Sequence, residues 1–292
     1  NYFLAALWYV DDCEKYEMME KFLDHTSTPV KRSVVKLSGS KSESNRLLIM
    51  QQFFPEIQLQ NLSDSDDTVH LKEALSSGKS IVDIGHAGTA MRFLTAFFAA
   101  SPGKEVVLTG STRMQNRPVQ ILVEALQRLG ADITYTDKTG YPPLLIKGKN
   151  LSRNKVIIQG NVSSQYISAL MLIAPSLEHG LTIELTGEIT SAPYLKMTLS
   201  LLQDLGMDAT WKDNFITINP CNSIGSKTVV VESDWSSASY FYSLLALSKQ
   251  GELSLASFKP NSLQGDSRLA EIYTSFGVHT VFKDNMIHLK KD

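Results

Sequence analysis

Apolar positions recur along this chain in two alternating rhythms. SESNRLLIMQQFF, from Ser42, carries the dense apolar stripe of a buried helix, and IQLQNL behind it alternates as a strand does. The same succession returns as GTAMRFLTAFFAA from Gly88 with EVVLTG, SSQYISALMLIAP from Ser163 with LTIELTG, and WSSASYFYSLLALS from Trp235 with ELSLAS. A second kind of helix, with apolar residues three and four apart, follows each strand: DDTVHLKEALSSG, RPVQILVEALQRLG, APYLKMTLSLLQDLG and DSRLAEIYTSFG. In the last three, Gly130, Gly206 and Gly277 stand where a helix C-terminus needs a left-handed residue, and two short strands joined by a tight polar turn come next.

The unit is therefore helix, strand, helix, then one or two strands, in four copies of which the first is shorter. Alternating helices and strands predict an α/β fold. Units of this length exceed the common solenoid repeats of roughly 20 to 50 residues. The expected architecture is several small α/β units packed about a shared core. The domain reading is 1–34 as an N-terminal segment of unknown role, 35–230 as three repeat units, and 231–292 as the first unit of a second, incomplete domain.

Charge changes the picture little. The net charge is −2, so no global field attracts nucleic acid or anionic membrane, and an anion site must be a local cluster. Cys13 and Cys221 have no CxxC spacing, and the histidines show neither HxxxH nor HExxH, so neither a disulfide framework nor a zinc site is expected. The longest apolar run, Tyr2 to Val10, is far shorter than the roughly 20 residues of a membrane span. It lacks a basic leader and reads as a short amphipathic helix rather than a signal peptide.

The helix starts are where the chemistry lies. KSESNR, AGTAMR, VSSQ and SDWSSAS place hydroxyls or glycine where backbone N–H groups lack partners. Ordinary N-capping accounts for each alone. Their recurrence is harder to absorb, since Ser163, Ser164 and Gln165 stand together, as do Ser236, Ser237 and Ser239. Lys41, Arg46, Arg92, Arg113 and Arg117 lie at or near helix starts, where a cation opposes the helix dipole unless an anion compensates. Converging N-termini with such cations would form a phosphate or carboxylate site. The order Gly39-Ser40-Lys41-Ser42 is not a P-loop.

The motifs LSGSKSESNR, GHAGTAMRFL, LTGSTRMQNRP, NVSSQYISALM, SAPYLKMTL, VESDWSSASYF and LQGDSRLAE, in this order, resemble those of 5-enolpyruvylshikimate-3-phosphate synthases. The resemblance runs from about Val35 to Asp292. It implies an inside-out α/β barrel-like domain of repeated units and a cytoplasmic, monomeric transferase. That enzyme moves the enolpyruvyl group of phosphoenolpyruvate to the 5-hydroxyl of shikimate 3-phosphate, without metal or organic cofactor, nucleic acid or membrane. Carried over by position, Lys41 touches both substrates and assists catalysis. Ser42 and Arg46 hold shikimate 3-phosphate, Arg46 at its carboxylate. Ser163, Ser164 and Ser191 hold its 3-phosphate, with Tyr194 beside the ring and Gln165 between the substrates. Gly88 and Arg117 bind phosphoenolpyruvate, and Gly88 leaves room for glyphosate, which competes with it.

The chain departs from the family's pattern in three places. The acid and base carboxylates are expected beyond residue 292, and Asp234 and Asp266 read as helix caps rather than their replacements. His86 stands where the family more often has a small polar residue such as Asn. Tyr2 to His25 matches nothing in the family. The alternative reading is a truncated chain that binds shikimate 3-phosphate without turning it over. The sister transferase acting on UDP-N-acetylglucosamine typically uses a cysteine that STRMQNRP lacks, and no histidine here lies in a motif expected of an RNA 3′-phosphate cyclase.

Overall fold

The computed structural model describes residues 34–291; the helix expected over Tyr2 to Val10 lies outside them. The chain opens with β1 (Val34–Lys36), α1 (Lys41–Phe53), β2 (Ile57–Gln60) and α2 (Asp66–Ser76). It continues with β3 (Ile81–Asp83), α3 (Gly88–Ala99), β4 (Glu105–Thr109), the single turn α4 (Thr112–Gln115), α5 (Gln120–Arg128), β5 (Asp132–Tyr135) and β6 (Leu144–Lys147). The plan repeats as β7 (Lys155–Gln159), α6 (Ser164–Ile173), β8 (Leu181–Thr186), α7 (Ala192–Asp204), β9 (Ala209–Lys212) and β10 (Phe215–Ile218). Last come β11 (Lys227–Val230), α8 (Trp235–Leu247), β12 (Gly251–Ala256), the short α9 (Leu269–Ile272), β13 (Val278–Lys283) and β14 (Met286–Lys291).

Three sheets share one topology. Their orders are β3-β4-β6-β5, β7-β8-β10-β9 and β1-β12-β14-β13, and in each the first pair is parallel and the other two pairs antiparallel. The unit thus has a leading strand before its first helix, which the sequence reading lacked. These leading strands are short and put apolar residues on exposed positions too, such as Val34, Ile81, Ile157 and Val230, so their sequence does not show the alternation of their burial.

Two leading strands exchange places. β1 runs into α1 but pairs in parallel with β12, from Val34 opposite Ser254 to Lys36 opposite Ala256. β11 runs into α8 but pairs in parallel with β2. The chain therefore crosses twice between a larger hydrophobic core, built on α1 to α7, and a smaller one around Trp235, Tyr242 and Phe258. The two crossing segments bond to each other. Ser40 N donates to Glu232 O at 2.8 Å, Asp234 N to Ser38 O at 3.0 Å, and Gly39 bridges Ser233. A Cβ on Gly39 would overlap the carbonyl oxygen of Asn61, so only glycine fits this crossing.

Burial follows from composition. Every residue of α3 is buried, consistent with GTAMRFLTAFFA lacking a polar face. β8 turns Leu181, Ile183 and Leu185 inward in strict alternation. The expected glycine caps hold: Gly130, Gly206 and Gly277 all have positive φ. Two of the expected tight turns are present, Asp213-Asn214 and Asp284-Asn285, but the strands β5 and β6 are joined by the longer loop 136–143.

The helix expected over DSRLAEIYTSF breaks into a 3-10 turn, α9 and a second 3-10 turn. None of its residues is fully buried: Leu269, Ala270 and Tyr273 pack on the smaller core only in part, and Ile272 and Phe276 are exposed, so little apolar burial supports a continuous helix. α8 likewise exposes Tyr240, Leu244 and Leu247, unlike its counterparts α3 and α6.

Candidate anion-binding site

The repeat brings several helix starts to one end of the larger core. Direct bonds tie them together. Gln165 Nε2, on the first turn of α6, donates to Thr89 Oγ1 on the first turn of α3 at 3.2 Å. Thr68 Oγ1 of α2 donates to Asn45 Oδ1 of α1 at 2.8 Å, and Ala90 N of α3 to Asp67 Oδ1 of α2 at 3.3 Å. Arg46 of α1 reaches α6 and α7: Nε donates to Thr198 Oγ1 at 2.7 Å and Nη2 to Ser168 Oγ at 3.2 Å. Parallel dipoles with clustered N-termini make this end of the bundle electropositive. Ser40 makes no side-chain cap bond, so the first N–H groups of α1 stay open; at α3 Ala90 N is taken by Asp67, and at α7 Pro193 brings no N–H and Tyr194 N bonds Ser191 O, so these two starts are only partly open.

The cations here have no counter-charge. Among the described residues, none of Lys41, Arg46, Arg92, Arg113 and Arg117 has a carboxylate within ion-pair distance. Arg46 is 3% exposed, lies 5.5 Å over the Phe93 ring, and is held only by neutral acceptors, including Ser42 O at 2.8 Å. Burial pulls its pKa down to about 10, so it remains charged at neutral pH. A buried guanidinium with no carboxylate partner is costly, which is the mark of a site prepared for an anion.

The residues singled out from the sequence fall into groups. Ser42, Arg46 and Tyr194 meet, since Arg46 also faces Tyr194 O at 3.5 Å. Ser42 and Tyr194 line a cleft of about 220 Å³ together with Ser40, Pro193, Asp234 and Gln264. Gly88 and Arg117 meet, because a Cβ on Gly88 would strike the Arg117 guanidinium. Gln165 joins them through Thr89. Ser163 caps α6 by accepting from Gln165 N, Ser164 is nearly buried behind it, and Ser191 stands before α7. Lys41 is exposed at the first position of α1, and no bond links it to the others. A larger cleft of about 670 Å³, lined by Phe53, Ser77, Ala100 and Lys104, lies at the far ends of α1, α2 and α3 and contains none of these residues.

Arg92 is buried and, like Arg46, donates to backbone carbonyls, Gly88 O at 3.0 Å and Pro118 O at 3.3 Å, so it braces the Gly88–Arg117 pair. Two expectations are revised. Asp234 does cap α8, accepting from Ser237 N at 2.7 Å, whereas Asp266 accepts from the Ser236 hydroxyl instead of capping. The Ser236, Ser237 and Ser239 hydroxyls are all engaged locally, so the serine row of α8 is not an open anion site. His86 sits in the open, 3.7 Å from Asp66 Oδ2 and edge-on to His70.

Sequence reasoning missed a polar cluster beneath α1. Glu43 and Glu232 are both buried there with Gln264, 2%, 1% and 8% exposed respectively. In the sequence Glu43 looks like an ordinary first-turn acid, and no local pattern brings the other two beside it.

A family model for EPSP synthase (3-phosphoshikimate 1-carboxyvinyltransferase) matches residues 70–291. A 3-phosphoshikimate 1-carboxyvinyltransferase from Bacteroides fragilis (strain YCH46) is 47% identical over 263 residues, covering 89% of this chain and 64% of its own length. One from Pasteurella multocida (strain Pm70) is 36% identical over 291 residues, covering 88% of this chain and 66% of its own. The chain thus spans a little under two thirds of the length of these relatives. An EPSP synthase structure from Acinetobacter baumannii superposes with a TM-score of 0.69 at 19% identity, over 89% of this chain and 64% of that one. That likeness establishes the inside-out α/β barrel-like fold.

Proposed function

This chain belongs to the EPSP synthase family, and on that premise we propose that the protein transfers the enolpyruvyl group of phosphoenolpyruvate to the 5-hydroxyl of shikimate 3-phosphate, releasing phosphate. The described residues form the part that grips the two anions. Arg46, from inside the bundle, meets the shikimate carboxylate, while Ser42 and Tyr194 border the ring from the cleft. Ser163, Ser164 and Ser191, at the starts of α6 and α7, take the 3-phosphate. Arg117 over the open start of α3 takes phosphoenolpyruvate at Gly88, and Gln165 stands between the two. Lys41, without a bonded partner among the described residues, swings to either substrate and assists the transfer. Positioning two polyanions against each other is itself a large share of catalysis.

The observation that carries this reading is the set of cations with no ion-pair partner among the described residues, at converging helix starts of which that of α1 has no side-chain cap. We further propose that the protein acts as a cytoplasmic monomer on free small molecules; no helix among the described residues is long and apolar enough to cross a membrane. Calorimetric titration of shikimate 3-phosphate into the 292-residue chain tests the site. Heat of binding is expected, and it should vanish in a folded Ser164→Ala, Arg46→Ala double variant. Equal heat in both, or none from the folded parent chain, would overturn the assignment.

A further inference from the structure

The buried carboxyl pair under α1 has no part in gripping either anion. Glu43 lies on the first turn of α1, next to Ser42 and two positions from Lys41. Glu232 lies on the second crossing segment, and Gln264 on the loop that follows β12. The two carboxyl groups are treated very differently. Glu232 is saturated: it accepts from Trp235 Nε1 at 2.9 Å, Lys259 N at 3.0 Å, Ser262 Oγ at 2.6 Å and Gln264 Nε2 at 3.3 Å. Glu43 accepts only two long bonds, from Glu232 N and Gln264 Nε2, both at 3.4 Å. The donors in this pocket are thus gathered on Glu232 and are sparse at Glu43.

We propose that Glu43 is a proton-gated positioning residue, which when protonated seats the start of α1 against the crossing segment and the 259–264 loop, and when ionised loosens that seat. The geometry gives the reason. Ionised Glu43 would place a second negative charge beside Glu232 in a pocket closed to water, with Gln264 Nε2 shared between them. The other charges facing it are Lys259, from the loop, and Arg46, on the next turn of its own helix; both favour the anion but are outweighed by burial and Glu232. The net result holds the Glu43 carboxyl up at about 7, within the physiological range. Gln264 also lines the cleft that holds Ser42 and Tyr194, so a change in this seat is felt where the substrate is proposed to bind.

Trp235 is a built-in reporter, because its indole N–H bonds Glu232 and its ring is fully buried. Replacing the other two tryptophans, Trp8→Phe and Trp211→Phe, isolates its fluorescence. A pH titration should show a transition near 7 that is absent in Glu43→Gln and moves to lower pH in Glu232→Gln. No transition in the parent, or the same transition in Glu43→Gln, would overturn the proposal. The consequence for binding rests on the function proposed above. If binding needs protonated Glu43, affinity for shikimate 3-phosphate falls about tenfold from pH 6 to pH 8 in the parent and stays level in Glu43→Gln. A fluorescence transition without any binding would sink the substrate assignment and leave the gate standing. Binding whose pH profile is the same in both proteins would sink the gate alone.

Discussion

Replacing Arg46 by Met separates a residue kept for a ligand from one kept for the fold. Met has similar length, is apolar and adapts to irregular gaps. Burial lowers the Arg46 pKa from 12.5 to about 10, so the charged form is disfavoured by on the order of 3 kcal/mol. The sign matters. Below pH 10 the side chain is protonated both folded and unfolded, so this cost applies across the neutral range and eases only as pH rises through the folded value. Met removes that cost and forfeits the bonds to Thr198, Ser168 and Ser42 O, at about 1 kcal/mol each. Thr198 and Ser168 keep each other, and Thr198 keeps Tyr194 O, so neither hydroxyl is orphaned. The two contributions nearly cancel, and urea denaturation should place Arg46→Met within about 1 kcal/mol of the parent. Affinity for shikimate 3-phosphate should fall far more. A lost charge-assisted bond is worth about 1.5–3 kcal/mol, roughly 10- to 100-fold in calorimetry. Destabilisation above about 3 kcal/mol with unchanged affinity would refute the reasoning and make Arg46 a structural residue.

The remaining perturbations each probe one contact. Gly39→Ala forces a Cβ onto the Asn61 carbonyl at the crossing and should cost about 1–3 kcal/mol in urea denaturation. Gly88→Ala meets only the mobile end of Arg117, so stability should hold within about 0.5 kcal/mol while Arg117 is displaced. On the function proposed above, that change should weaken binding of glyphosate more than of phosphoenolpyruvate, as titration of each would show; equal losses would count against it. Glu43, whose folded pKa lies near 7 against 4.5 for an ordinary glutamate, binds its proton more tightly when folded. Its contribution is therefore fully present below about 4.5 and lost as pH rises to about 7, on the order of 3 kcal/mol. Denaturation across that window should slope downward in the parent relative to Glu43→Gln, and parallel profiles would refute it.

The repeat was legible because its signals are local. Gly130, Gly206 and Gly277 follow their helices in the sequence, and each takes the left-handed conformation its position requires. The candidate site residues could be picked out for the same reason, since they lie at or near helix starts that can be read from their own neighbours. What could not be read is pairing over distance. Nothing in VVK says that Val34 will lie opposite Ser254, or that Val35 will pack with the smaller core while α1, a few residues on, belongs to the larger. The Glu43, Glu232 and Gln264 cluster exists only because the chain crosses twice at this point. The surroundings of individual cations were only half legible: Arg46 and Arg92 both sit near helix starts and each donates back to the carbonyl four residues earlier, but only Arg46 also reaches the hydroxyls of Thr198 and Ser168 on two other helices.

The four first-type helices begin alike in sequence, yet the structure divides them by what completes their N-termini. α8 is finished by its own residues: Asp234 accepts from Ser237 N and Oγ, and the nearby hydroxyls bond Asp266 and Ser236 O. α1 has no side-chain cap, α3 has only a long bond from Ala90 N to Asp67 of α2 at 3.3 Å, and α6 has a single long one from Gln165 N to Ser163 Oγ at 3.4 Å. An uncapped N-terminus forgoes roughly 1 kcal/mol that a Ser, Thr or Asp cap supplies. Ser40 stands at the α1 cap position and makes no such bond, although its residue type is suited to it. The stability left unclaimed there coincides with the cations that lack counter-charges. Both deficits lie at one end of one core, and one bound polyanion would satisfy them together.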